Sequence, residues 1–344
     1  MRAELKLRPV EEQVIVVTGA SSGIGLTTAR LAARRGASVV LAARSERALQ
    51  RAAADIEAAG GTAVYAVCDV ADERDVEHVA TVAEREFGCI DTWVNNASTS
   101  IYARLTEVSA EDARRLFDVN FWGVVNGCQT AVSRLRERGG AIVNVGSVLS
   151  DRAMPLQGIY AASKHAVKGY TDTLRMELEA DGLPIAVSLV KPASIDTPFF
   201  RHARNYMDVE PKPAPPVYAP TLVAEAILTC AERPTRDVYV GGASRTMGML
   251  GGVAPRLTDR FMERTLFDGQ RSTRPAPARA RDNLHAPMDD DEGMERGGYR
   301  GTTHETSFYT QASMHPRTAA LTMAGVGLAV AAGLRAWAGR ERDW

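Results

Sequence analysis

The run Val14-Ile15-Val16-Val17 leads without a break into Thr18-Gly19-Ala20-Ser21-Ser22-Gly23-Ile24-Gly25, and a helical pattern follows from Leu26 to Arg35. A short, continuous, β-branched apolar run reads as a buried parallel strand. Strand, glycine-rich turn and helix together form the geometry that aims backbone N–H groups and a helix N-terminus at a pyrophosphate. Gly19 permits the tight turn, Gly23 allows close approach of a ligand, and Gly25 lets helix pack against strand. An ordinary βα turn is the plain alternative. The correct flanking elements weigh against it.

The same alternation continues down the chain. Ser38–Ala42, Thr62–Val67, Thr92–Asn95, Ala141–Val145, Ile185–Val190 and Asp237–Val240 read as short strands. Between them lie the helical runs Ser45–Ala59, Asp72–Phe87, Glu111–Arg138, Gly158–Ala180 and Ala219–Glu232, with an N-capping arrangement at Ser109-Ala110-Glu111-Asp112. This pattern predicts an α/β fold: a doubly wound parallel sheet of about seven strands, with ligands at the strands' C-terminal edge.

Composition narrows the function. A net charge of −1 and no basic run argue against nucleic acid as a partner. The four cysteines show no metal-like spacing and read as buried thiols in a reducing compartment. The six histidines form no HExxH arrangement, so no catalytic metal is expected. The N-terminus reaches the first strand with no apolar signal segment, which points to a cytoplasmic protein.

Tyr160 and Lys164 stand one helical turn apart on one face. Tyrosine is a poor acid near neutrality, with a reference pKa of about 10. A neighbouring cation favours the phenolate and brings the group toward general acid–base work. Alone, the pair is weak, because such neighbours are commonly a surface contact. With Thr18-Gly-x-x-x-Gly-x-Gly25, Asn95-Asn96-Ala97, Asn120 and Ser147 in the same order, however, the chain resembles the short-chain dehydrogenase/reductase family from about Glu12 to Gly242.

That resemblance implies a Rossmann fold and hydride transfer with a nicotinamide dinucleotide. It implies that Tyr160 exchanges the proton on the substrate oxygen and that Ser147 hydrogen-bonds the same oxygen. Lys164 would hold the nicotinamide ribose and lower the Tyr160 pKa. Asn120 would hold a water that relays protons to Lys164. Cofactor contacts are expected from Gly19, Ser21, Ser22, Gly23, Ile24, Gly25, Arg44, Asp69, Val70, Asn96, Tyr160, Lys164 and Thr197. The resemblance also implies a homo-oligomer. Ser98 and Ala193 stand where the family usually has glycine, which puts the local loop shapes in doubt.

Cofactor choice turns on the end of the second strand, Leu41-Ala42-Ala43-Arg44-Ser45, which has no acid for a ribose 2′-hydroxyl. A guanidinium there matches a 2′-phosphate, so NADP(H) is favoured over NAD(H). A solvated strand-end arginine is the other reading, and Ser22 leaves the glycine loop without a second basic residue. Asp69 and Val70 match the segment that holds an adenine, although Asp69 also fits as a neighbour of a helix cap.

Ile101, Tyr102, Val148, Leu149, Met154 and Leu156 fall near the expected substrate position, under a covering segment Phe199–Pro220. Their apolar character favours a lipophilic ketone or secondary alcohol, unless they are ordinary core. A non-catalytic dinucleotide sensor on the same fold is the competing function. It would be expected to have lost Ser147, Tyr160 or Lys164, and all three are present.

The domain plan is an N-terminal arm over 1–11, the catalytic domain over 12–245 and an amphipathic helical extension over 246–268. Residues 269–316 read as disordered or loosely draped, with the acidic run Asp289-Asp290-Asp291-Glu292 as a solvated cluster or a cation site. An apolar helix is expected over 317–344. Its core, Ala319–Leu334, spans about 24 Å as a helix, short of the ~30 Å hydrocarbon layer. Membrane association through this segment stays open beside a peripheral or packed helix.

Overall fold

The central strands are mostly apolar, and in the computed structural model, which describes residues 5–242, 253–277, 281–288 and 293–314, they are buried on both sides. Seven parallel strands form the main sheet: β1 (Val14–Thr18), β2 (Ser38–Ala43), β3 (Thr62–Val67), β4 (Thr92–Asn95), β5 (Gly140–Val145), β6 (Ile185–Pro192) and β7 (Asp237–Val240). Their order is β7-β6-β5-β4-β1-β2-β3. β1, β4 and β6 are buried throughout, whereas the edge strand β3 is exposed at both ends. Continuous apolar runs at the centre and mixed edges are what helices on both faces require.

One face is covered by α1 (Gly23–Arg34), α2 (Glu46–Ala58) and α7 (Pro220–Glu232), whose Leu26, Leu49 and Ile227 enter one core. The other is covered by α3 (Glu73–Phe87), α5 (Gly123–Leu135) and α6 (Gly158–Ala180), through Val76, Cys128 and Val167. Side-chain caps begin several helices: Ser45 accepts from the Ala48 amide, Asp72 from Arg74 and Ser109 from Asp112. The strand order reverses between β1 and β4, which opens a crevice at their C-terminal ends.

One helical run is divided. Glu111–Arg138, expected as a single helix, forms α4 (Ala110–Phe117), a π-helical turn over Asp118–Trp122, and then α5. Such wide turns interrupt α-helices most often where a side chain must be placed for function.

Beyond Gly242, α8 spans Pro255–Gly269 and α9 spans Phe308–Met314. Arg271–Pro275 pairs antiparallel with Val209–Pro211, and Thr303–His304 pairs parallel with Val217–Tyr218. Where described, residues 269–314 lie along the domain and dock at isolated points: Leu284 and Thr310 are fully buried and Met314 nearly so, while most of their neighbours are exposed or half-buried. Composition hid this because the segment docks through single side chains and backbone groups, with no periodic apolar face. The acidic run 289–292, the apolar block 319–334 and residues 246–252 of the extension lie outside the described residues. Among the described residues, no helix is long and apolar enough to cross a membrane.

Candidate active site

The glycine turn is built against the end of β4. Gly19 and Gly23 take φ of +67° and +55°, conformations that other residues adopt only with strain. Thr18 Oγ1 accepts from the Asn96 and Ala97 amides at 3.0 and 3.1 Å, and Asn96 Nδ2 donates to the Thr18 carbonyl at 2.9 Å. Asn96 therefore ties the turn to the neighbouring strand end. A Cβ on Gly25 would lie 2.2 Å from the Gly19 carbonyl oxygen, a backbone atom that cannot step aside. Gly25→Ala is expected to lose about 3 kcal/mol in urea unfolding, at the upper end of overpacking effects. A variant within 0.5 kcal/mol of wild type would show that the turn relaxes freely.

One cavity at the crevice is lined by Gly19, Ser21, Ser22, Gly23, Ile24, Arg44, Asp69, Val70, Asn96, Ser147, Tyr160, Lys164 and Thr197. Of the residues expected at the site, Gly25 and Asn120 are off its wall. Gly25 acts from behind the turn, as its close approach to Gly19 shows. Asn120 lies in the π-helical turn, fully buried, and its amide donates to the Thr99 carbonyl at 2.9 Å and to Ser163 Oγ at 3.2 Å. Its oxygen accepts from the Thr99 amide and Ser98 Oγ. Asn120 thus fastens α4–α5 to α6 and to the loop after β4. The wide turn is where its side chain escapes the helical ladder.

Ser147 follows β5 and caps the short turn Val148–Ser150: its oxygen accepts from Leu149 N, while its own amide donates to Ser150 Oγ. Tyr160 and Lys164 project from the first two turns of α6. Lys164 Nζ donates to the Val145 carbonyl at 3.0 Å and lies 5.6 Å from the centre of the Tyr160 ring. Burial depresses Lys164 to about 7. Burial likewise pushes Tyr160 up to about 12, while hydrogen bonds with Ser147 and Ser98 pull the other way.

The depression of Tyr160 expected from its lysine neighbour is therefore not what the enclosed pair gives. Desolvation wins for both groups, and an ammonium titrating near 7 is only partly charged at neutral pH. Ser98 is a contributor that the sequence reading passed over. Its signal was the hydroxyl residue standing where a glycine was expected after Asn95-Asn96-Ala97.

At the far end of the cavity, Arg44 sits beyond β2, and burial lowers its pKa. Its Nη1 donates to the Leu284 carbonyl at 3.3 Å and its Nη2 to the Asn283 carbonyl, both from the C-terminal segment. Asp69 pairs with Arg115 and accepts from the Ala71 amide at 3.1 Å. The cap of α3 is Asp72, whose amide donates to the Asp69 carbonyl at 2.9 Å, so Asp69 is a neighbour of the helix cap as well as part of the cavity wall.

The cavity's apolar wall carries Val148, Leu149, Met154, Phe199 and Phe200. The Phe199 ring meets Tyr160 edge-on, with centroids 5.7 Å apart. Ile101, Tyr102 and Leu156, expected near the substrate, are buried core off that wall.

This constellation has counterparts. A family profile described as short chain dehydrogenase matches residues 13–208. The uncharacterized oxidoreductase YxnA of Bacillus subtilis is 44% identical over 346 aligned residues, covering 99% of this chain and 94% of its own. A short-chain dehydrogenase/reductase from Burkholderia phymatum, solved with NAD, superposes with a TM-score of 0.65 at 29% identity, over 71% of this chain and 94% of that one. An alcohol dehydrogenase from Thermococcus sibiricus, complexed with 5-hydroxy-NADP, gives a TM-score of 0.59 at 27% identity, over 66% of this chain and 95% of that one.

Proposed function

The chain belongs to the short-chain dehydrogenase/reductase family, an oxidoreductase acting on CH–OH groups, and we propose that it is an NADP(H)-dependent enzyme interconverting a lipophilic ketone or aldehyde and its alcohol. The observation that carries this reading is the Tyr160 hydroxyl. It is enclosed, lies where Ser147 and Ser98 favour its phenolate, stands one turn from Lys164, and faces a wall of Leu149, Met154 and Phe199.

The donor set fits a dinucleotide: a turn with two glycines at positive φ, a helix start whose Ser22 makes no side-chain cap, and a half-buried guanidinium at the far end. Gly19, Ser21, Ser22, Gly23 and Ile24 would hold the pyrophosphate. Asp69 and Val70 would flank the adenine, and Thr197 would meet the nicotinamide amide. Lys164 Nζ would hold the adjoining ribose. The bound cofactor supplies the hydride. Tyr160, held at about 12, keeps its proton at neutral pH and is set to donate it to a substrate oxygen. Ser147 Oγ donates to the same oxygen and orients it, and Asn120 keeps α6 in register with the loop that carries Ser98.

Four free thiols among the described residues suit a reducing, cytoplasmic setting. Exposed Trp122 and Met176 offer apolar surface for self-association. The apolar cavity wall supports a lipophilic substrate. A panel of ketones and secondary alcohols with NADPH or NADP⁺ tests this reading, and turnover of charged sugars alone would overturn it.

Cofactor preference rests on Arg44, the absence of an acid at the end of β2, and the match between a guanidinium fork and a phosphate. Charge-assisted hydrogen bonds contribute about 1.5–3 kcal/mol, roughly 10- to 150-fold in affinity. NADPH is expected to bind at least about tenfold tighter than NADH, and Arg44→Asp to reverse the order, read by fluorescence titration at fixed salt. Equal affinities in the unmutated protein would reduce Arg44 to a strand-end residue.

A further inference from the structure

The described C-terminal residues reach the cavity wall and take up, at two separate points, groups that the dinucleotide reading assigns to ligands. At the far end, the Leu284 carbonyl accepts from both Arg44 Nη1, at 3.3 Å, and Arg115 Nε, at 3.1 Å, and Arg44 also donates to the Asn283 carbonyl. An oxygen between two guanidiniums stands in for a phosphate oxygen. At the glycine turn, the Gly23 amide, first of α1, donates to the Met294 carbonyl at 2.9 Å. The side chain of the same Leu284 is fully buried in an apolar cluster that also holds Ile101, Leu149 and Tyr160, which anchors its carbonyl in place.

The segment is fastened outside the cavity. Asp282 pairs with Arg204 at 2.8 Å, and Glu295 binds Arg30 and Thr27 at 2.7 and 2.9 Å. Farther on, Asp196 accepts from the amides of Gly297 and Tyr299. These anchors hold neutral carbonyls against cationic and amide donors. A partly buried guanidinium needs a partner, and a neutral carbonyl meets that need less strongly than a phosphate, whose negative charge adds ion–ion attraction and a bidentate match to the fork.

We propose that residues 281–288 and 293–297 form an autoinhibitory strap whose backbone carbonyls occupy the phosphate-binding donors, so that a dinucleotide binds only as the strap lets go. The proposal rests on the dinucleotide reading above. It follows that apparent affinity is reduced by the fraction of molecules with the strap released. Both cofactors meet the same barrier, while Arg44 alone decides between them.

The experiment combines a variant with a readout on the unmutated protein. Asp282→Asn with Glu295→Gln removes two anchors whose side chains do not line the cavity. Partly exposed ion pairs of this kind are individually weak, so NADPH and NADH are both expected to bind about three- to tenfold tighter, with their ratio unchanged. In the wild-type protein, saturating NADPH is expected to speed tryptic cleavage after Arg281, Arg296 or Arg300 by at least about threefold. Protection of those sites by NADPH would overturn the proposal, since the segment would then close over bound cofactor. Unchanged cleavage, or unchanged affinities in a folded double variant, would also overturn it while leaving the dinucleotide reading intact. Binding of neither dinucleotide to either protein would overturn that reading itself, and the strap with it.

Discussion

Tyr160→Phe is expected to lower turnover by at least about 10²-fold while cofactor affinity stays within about twofold of wild type. The substitution removes one hydroxyl from an enclosed position and keeps the ring, so the edge-on contact with Phe199 at 5.7 Å survives. What disappears is the proton that the substrate oxygen must gain or lose, a general acid–base contribution of about 10²–10⁴-fold. Ser147 and Ser98 remain, but a serine hydroxyl left without the phenol orients an oxygen without protonating it. Single-turnover absorbance with NADPH separates chemistry from binding, and titration by protein fluorescence gives the affinity. A variant with wild-type turnover would remove Tyr160 from the reaction.

That tyrosine was legible in the sequence because its partner lies four residues on, within reach of helical periodicity. The sheet was legible for a similar reason: Val14–Val17 and Ile185–Val190 are continuous apolar runs, and each lies within two residues of its observed strand. Asn120 falls inside the run Glu111–Arg138 expected as one helix, and the π-helical turn around it was not expected. The cause is long-range: Thr99, Ser98 and Ser163 draw its side chain in from three directions.

The strap shows the same limit more strongly. Arg44 was singled out for a phosphate, but no pattern linked it to carbonyls 239 and 240 residues away. Carbonyl oxygens are present at every residue, so composition carries no signal for them. A segment rich in Arg, Pro, Gly and Asp reads as loose unless its few buried side chains, such as Leu284, are known in advance. Burial opposes the charged form of both Tyr160 and Lys164, and their spacing along the helix carries no signal of how enclosed they are.

Lys164→Met is expected to make the protein more stable and nearly inactive. The ammonium is 2% exposed and donates to the Val145 carbonyl, and burial brings its pKa from 10.5 to about 7. That displacement corresponds to about 5 kcal/mol against the charged form, at about 1.4 kcal/mol for each tenfold change. Methionine fills similar space without a charge, though it leaves the carbonyl without its donor, so the net gain is expected near 2–4 kcal/mol. The pH dependence follows from the direction of the shift. Below pH 7 the lysine is protonated in both states, and the folded protein carries the full penalty. Between pH 7 and 10.5 the unfolded chain binds more protons, so wild-type stability from this group rises with pH. The advantage of the variant should therefore be largest near pH 6, about 5 °C or more in melting temperature, and fade toward pH 10. Turnover should fall by at least about 10²-fold, with weaker cofactor binding, if the same ammonium holds the nicotinamide ribose beside Tyr160 as proposed. A variant that melts lower than wild type at pH 6, with no trend in pH, would show that Lys164 is not a buried charge. Unchanged cofactor affinity would separate it from the ribose.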